Sequence, residues 1–156
     1  MNRIHNSELP ILRVRRKPVS QTYIYHKPQG FWYAIGNVWI KFLEDRKIWR
    51  VGDYNYSVDT SKANILILYS EAKMLEFTER YKDGKKTAFI NWDNVAKNYD
   101  GIEIPIFMKG LDSDPRTCWY YNWDVASGCV WNMQNIKIKP YDEKTKRTRK
   151  ATQSKC

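Results

Sequence analysis

Apolar and polar positions along this chain fall into short runs with strand-like or helix-like spacing. QTYIYH (21–26) alternates as a strand, KPQG (27–30) is a turn in which Pro28 fixes φ and Gly30 is free to take positive φ, and FWYAI (31–35) is a second strand. Asn37 is an N-cap for a helix through about Asp45, with Val38, Trp39, Phe42 and Leu43 on one face. WRVGDYNYSVD (49–59) alternates enough for a strand. ANILILY (63–69) is a continuous apolar run between polar residues, the pattern of a central strand buried on both faces.

Ser70 then caps a second helix, with Glu71 in its first turn and Met74, Leu75, Phe77 and Tyr81 as its apolar face. YKDGKK is a charged turn, NWDNVAKNY (91–99) one or two helical turns, and GIEIPIF (101–107) a strand with an edge-type Pro105. KGLDSDPRT (109–117) reads as a surface loop, and a strand near 129–138 closes the pattern. No internal repeat is visible. Helices and strands intersperse without βαβ alternation, which predicts an α+β fold with a mixed, mostly antiparallel sheet and a few short helices.

Composition adds two features. Five Phe, seven Trp and eleven Tyr exceed what a core of this size needs for filling, so some should line a pocket or an exposed patch. In CWYYNWD, four aromatics within five residues (Trp119, Tyr120, Tyr121, Trp123) cannot all point inward from a strand of period two. The net charge of +10 is unevenly placed: residues 1–17 carry +4, residues 137–156 carry +6, and the 14 basic and 14 acidic residues between them cancel. The expected organisation is a basic arm (1–20), one α+β domain (21–138) and a basic tail (139–156) that stays disordered without a partner.

Basic ends bind phosphate without sequence preference, so nucleic acid or an acidic protein is the partner expected of residues 1–17 and 137–156. A solvated tail that aids solubility is the plain alternative. No run approaches the ~18–20 apolar residues of a membrane span, and the charged N-terminus does not read as a signal peptide, so a cytoplasmic protein without membrane contact is expected. Abundant Lys, Asn, Ile and Tyr fit an AT-rich genome. For a phage or virus that location becomes the host cytoplasm or the particle.

Cys118, Cys129 and Cys156 form no C-x-x-C pair and lie far in sequence from His5 and His26, so neither zinc nor a disulfide framework is indicated. DSDPR (112–116) has acids but no further ligands at fixed spacing, and no metal is expected. A glycine-rich phosphate loop, a serine nucleophile elbow and an H-E-x-x-H motif are all missing.

One constellation remains. His26 ends a strand, a turn follows, and then Gly30-Phe31-Trp32-Tyr33-Ala34 leads to a helix from Asn37. YNYSVDTSKANILIL and YDGIEI come next, and a last aromatic segment ends in SGCVWNMQNIKI. Over residues 22–138 this order resembles the ADP-ribosyltransferases of the diphtheria-toxin and poly-ADP-ribose-polymerase type. The resemblance implies their fold, NAD as substrate, and transfer of ADP-ribose to a macromolecule.

In its terms His26 and Gly30 belong to the NAD-binding corner, with His26 bonding the adenosine ribose or the backbone near it, and Trp32 or Tyr33 stacks on nicotinamide. Loss of nicotinamide leaves a ribose cation that a carboxylate must stabilise. The family's glutamate slot falls on Ser127 here. Asp124, at the turn into the last strand, is the favoured substitute, and Glu103 on the YDGIEI strand is the other. On the residues alone, a histidine at a strand end is more often structural, and DVASG can simply shape a corner. The competing reading is a non-enzymatic nucleic-acid-binding or structural protein whose exposed aromatics stack on bases.

Overall fold

The computed structural model describes residues 1–22, 26–47, 49–84, 89–142 and 144–146. Its strands are β1 (Arg3–Ser7), β2 (Phe31–Ile35), β3 (Tyr54–Asp59), β4 (Ile65–Ile67), β5 (Gly101–Ile104), β6 (Ser127–Val130) and β7 (Lys137–Pro140). Its helices are α1 (Val38–Arg46), α2 (Glu71–Tyr81) and α3 (Trp92–Ala96), with 3₁₀ segments at Leu111–Ser113 and Pro115–Tyr120. One seven-stranded sheet runs in the order β4-β5-β6-β2-β1-β3-β7. Its only parallel pairing among the described residues is β4 with β5, so the sheet is mixed and mostly antiparallel, as the pattern predicts.

Two cores form because β-strand side chains alternate between faces. On one face Trp32, Ile102, Ile104 and Cys129 meet α2, α3 and the 3₁₀ segments, which bring Met74, Phe77, Trp92, Trp119 and Trp123. On the other, Tyr33, Val58 and Val130 meet Met133 and Ile136, with Val14 and Phe31 packed against them. Helix α2 matches its sequence closely. Ser70 Oγ accepts a bond from the Lys73 N–H at 3.3 Å, and Met74, Phe77, Thr78 and Tyr81 are its buried residues. Asn37 sits at the N-cap of α1 but makes no side-chain cap bond.

Several expectations are corrected. The 63–69 run forms only the three-residue β4, at the sheet's edge, with Ile67 and Tyr69 exposed. An edge strand pairs on one side only, so these apolar residues are not all enclosed. Conversely, β5 lies between β4 and β6 with all four residues buried, and it ends before Pro105, whose missing N–H could not extend the ladder. The 109–117 loop contains 3₁₀ turns, and the 129–138 strand is two strands, β6 and β7, which pair with different partners. The 49–59 strand begins only at Tyr54.

Residues 21–22 and 26 are outside any strand, and residues 23–25 of that expected strand lie outside the described residues. The segment read as an N-terminal arm supplies β1, between β2 and β3. Past β7, the Tyr141 N–H donates to Asn55 O at 2.7 Å and Thr145 is buried against β3. The remainder of the basic tail, 147–156, lies outside the described residues. Among the described residues no helix is long and apolar enough to cross a membrane.

Candidate functional site

The site arises from a fault in the ladder. β1 pairs with β2 only at Arg3–Ile35 and Ile4–Ala34. β1 continues beside β3 as far as Ser7, and β2 beside β6 back to Phe31. Beyond Ile4 the two central strands therefore part, and a carbonyl that would have entered the ladder needs another donor. His5 supplies it: its Nδ1 lies 2.6 Å from Trp32 O. The ring stacks on Phe31 with centroids 4.2 Å apart. Burial lowers the His5 pKa from its ordinary value, partly opposed by the bond to Trp32.

Beside this split lies a cavity of about 280 Å3, bordered by His5, Lys27, Trp32, Trp39, Asp124 and Ser127 among others. That is just below the ~300–1,000 Å3 usual for small-molecule pockets. Trp39 comes from α1 and stacks on Phe42. Trp32 is held edge-on by Trp123 at 4.9 Å. Lys27 Nζ stands 5.3 Å from the Trp32 ring centroid and 3.8 Å from Asp124 Oδ2. Burial lowers the Lys27 pKa, with the Asp124 carboxylate opposing it. The Ser127 hydroxyl donates to Val125 O at 2.9 Å, which closes the corner.

Trp32, Tyr33, Asp124 and Ser127 thus border one cavity. The Tyr33 ring, however, is buried on the opposite face, where its hydroxyl donates to Glu103 at 2.8 Å. The ring reaches Glu103 by crossing Gly128: a Cβ there would lie 2.5 Å from the phenol. The indoles that line this cavity are those of Trp32 and Trp39. Glu103 is 1% exposed, lies outside the cavity's border, and takes a forked ion pair from Arg3 at 2.5 and 3.0 Å. Its environment is that of a structural carboxylate.

His26 lies outside the border of the cavity. Its ring tilts against Phe89 at 4.7 Å, its carbonyl accepts from Trp92 Nε1 at 3.2 Å, and its buried Nδ1 has no partner among the described residues. The histidine on a strand beside FWYAI is His5. Gly30 does not take positive φ. It is glycine because a Cβ would lie 2.4 Å from Val130 O, so it lets the chain enter β2 close against β6. It borders a second cavity of about 360 Å3 with His5, Arg13, Arg15 and Phe31.

His5, Lys27 and Trp39 are site residues that the pattern of the sequence does not single out. The only signal for His5 is that it is one of two histidines. The aromatic cluster CWYYNWD resolves as a 3₁₀ turn and its exit, with Trp119, Tyr120 and Trp123 buried and Tyr121 70% exposed. Compared with models of protein families, with curated proteins and with solved structures, the chain has no match.

Proposed function

We propose that the cavity beside Trp32 binds the nicotinamide-ribose half of NAD, and that the chain is an ADP-ribosyltransferase-like protein acting on a macromolecular acceptor. The observation that carries this reading is the meeting of Trp32, Asp124 and a neutral imidazole, His5, at one cavity. Nicotinamide stacks on Trp32 or Trp39, which contributes ~0.5–1.5 kcal/mol beyond area burial. With Nδ1–H engaged by Trp32 O, His5 keeps a lone pair on Nε2 for a hydroxyl of the nicotinamide ribose, whereas the resemblance gives His26 the adenosine ribose. Lys27 pairs with the pyrophosphate, and its movement from Asp124 leaves that carboxylate facing the sugar.

The C1′–N bond breaks with its electron pair going to the nicotinamide nitrogen. Asp124 stabilises the ribose cation, and the acceptor's nucleophile bonds to C1′ as its proton passes to solvent. The test is nicotinamide release from NAD by purified protein, with Asp124→Ala as control and nucleic acid present as acceptor. Release that disappears in the variant supports the reading. A melting-temperature rise with NAD but no release means a binding pocket without the chemistry. The absence of both release and a rise overturns it.

A second reading, a nucleic-acid-binding protein without chemistry, is favoured by one observation: Arg13 and Arg15 border the second cavity and are exposed.

A further inference from the structure

We propose that the second cavity, with the segment strapped across it, is a binding site for single-stranded nucleic acid. The strap is residues 8–20, which the sequence alone presents as a loose basic arm. It is fixed at four places. The Ile11 N–H donates to Tyr56 Oη at 2.7 Å, and Val14 packs into the core beneath. The Arg16 guanidinium donates to Met133 O and Ile136 O at 2.6 and 2.7 Å, and the Val19 N–H donates to Trp131 O at 2.8 Å.

Alternation along this strap separates two kinds of arginine. Arg16 is engaged with backbone carbonyls. Arg13 and Arg15, on either side of the inward-packed Val14, are exposed and border the cavity. Among the described residues neither makes an ion pair or a side-chain hydrogen bond. Two residues of chain place their Cα atoms at most about 7 Å apart, so both arginines rise from one short, anchored stretch of the strap.

Below them the cavity is bordered by Phe31, His5, Val130 and Met133, with His5 and Phe31 stacked on each other. Guanidiniums at the rim recognise phosphate by paired N–H donors. An aromatic floor accepts any base by its π-face. A phosphopeptide would use the rim and leave the floor unexplained; a polynucleotide uses both. Glu8 is the only acid among residues 1–17, so little in the strap opposes a polyanion.

His5 borders both cavities. A strand in the second therefore lies one side chain from the first, and the bound nucleic acid is the acceptor of ADP-ribose. This last step alone rests on the function proposed above.

The test is fluorescence anisotropy of a labelled single-stranded oligonucleotide against full-length protein, without NAD, over a salt series. Wild type is compared with Arg13→Ala/Arg15→Ala and with Lys41→Ala/Lys62→Ala, which removes two exposed charges elsewhere. The arginine pair should weaken binding at least tenfold and make the salt slope shallower by about 1.4, for two lost single-strand phosphate contacts. The lysine pair should change affinity less than threefold. Equal losses in both double variants, or none in the arginine pair, overturn the proposal.

Arg13→Lys/Arg15→Lys guards against misfolding. It keeps the charge without the fork, and should melt like wild type while recovering only part of the affinity. Full recovery would mean charge alone, without a shaped site, and would overturn the proposal too. Oligonucleotide binding that passes this test while nicotinamide release fails would remove the enzyme reading and leave the site standing.

Discussion

His5 Nδ1 meets Trp32 O at 2.6 Å, at the place where β1 and β2 cease to pair. A carbonyl oxygen can only accept, so the proton of the neutral ring is on Nδ1 and the lone pair is on Nε2. One side chain therefore satisfies a backbone group stranded by the split and borders the cavity beside it. The split and the imidazole depend on each other.

That dependence has a pH signature. Burial places the folded-state pKa of His5 below 6.5, so the unfolded chain binds more protons as the pH falls through this region. The His5 contribution is intact above pH 6.5 and is lost as the pH falls from 6.5 towards the depressed value. His5→Asn, whose amide N–H can replace Nδ1–H, should fold at neutral pH and lose stability less steeply between pH 7 and 5. Melting curves of both proteins across that range check it. Parallel curves would mean that His5 carries no such burden.

Gly128 and Tyr33 make a second pair whose geometry leaves little freedom. The phenol lies where a Gly128 Cβ would be, and its hydroxyl ends on Glu103. Burial, followed by the Glu103 charge, raises the Tyr33 pKa, so the phenol stays protonated and donates. Gly128→Ala should push the ring off Glu103 and cost about 1–3 kcal/mol, as overpacking does. Urea unfolding measures it. In Tyr33→Ala, where the ring is gone, the same Gly128→Ala change should cost much less.

β1 explains why part of this architecture was hidden in the sequence. RIHNS has one aliphatic residue in five, which no hydrophobic alternation would mark as a central strand. It can lie inside the sheet because its polar groups find partners far along the chain. Arg3 reaches Glu103, His5 reaches Trp32 O, and the Asn6 amide donates to Gly52 O and Asn55 Oδ1 at 2.8 Å each. Such partners lie 27 to 100 residues away, so local pattern holds no trace of them. Where local rules govern, reading is easier: FWYAI, the Ser70 cap with α2, and the short α3 all fall where periodicity puts them. ANILILY misleads because an apolar run states burial preference, not position in the sheet. At the cavity, Trp32 and Asp124 are residues that the sequence singles out, while His5 and Lys27 are brought beside them only by the split strands and the turn.

Lys27 should bind anionic ligands in a pH-dependent way. Its ammonium is partly desolvated, over Trp32 and near Asp124, and its pKa lies below 10.5. As pH rises through that lowered value the cation is lost, so affinity for NAD or ADP-ribose should fall on the alkaline side earlier than an exposed lysine would cause. Lys27→Ala should weaken binding about 10- to 100-fold at pH 7, the loss of one charge-assisted bond, and flatten the alkaline limb. Calorimetric titration with ADP-ribose from pH 7 to 10 reads both effects. A steep alkaline limb in Lys27→Ala would assign the titration elsewhere.

In the aromatic core under the cavity, one hydroxyl anchors the central indole of Trp119. Thr78 Oγ1 donates to Met74 O at 2.9 Å and accepts from Trp119 Nε1 at 2.8 Å, with Thr78 at 2% exposure and Trp119 at 0%. Trp119 in turn meets Phe77, Trp92 and Trp123 edge-on, and Trp123 holds Trp32 at the cavity wall. Thr78→Val keeps the shape but removes the acceptor, leaving a buried indole N–H unpaired at a cost of about 1–3 kcal/mol. Thr78→Ser keeps the bond and loses one methyl, about 0.8 kcal/mol of transfer energy. If hydrogen bonding dominates, urea unfolding should show Val as the more damaging change, though it is the better steric match. The reverse order would mean that packing alone orders these rings.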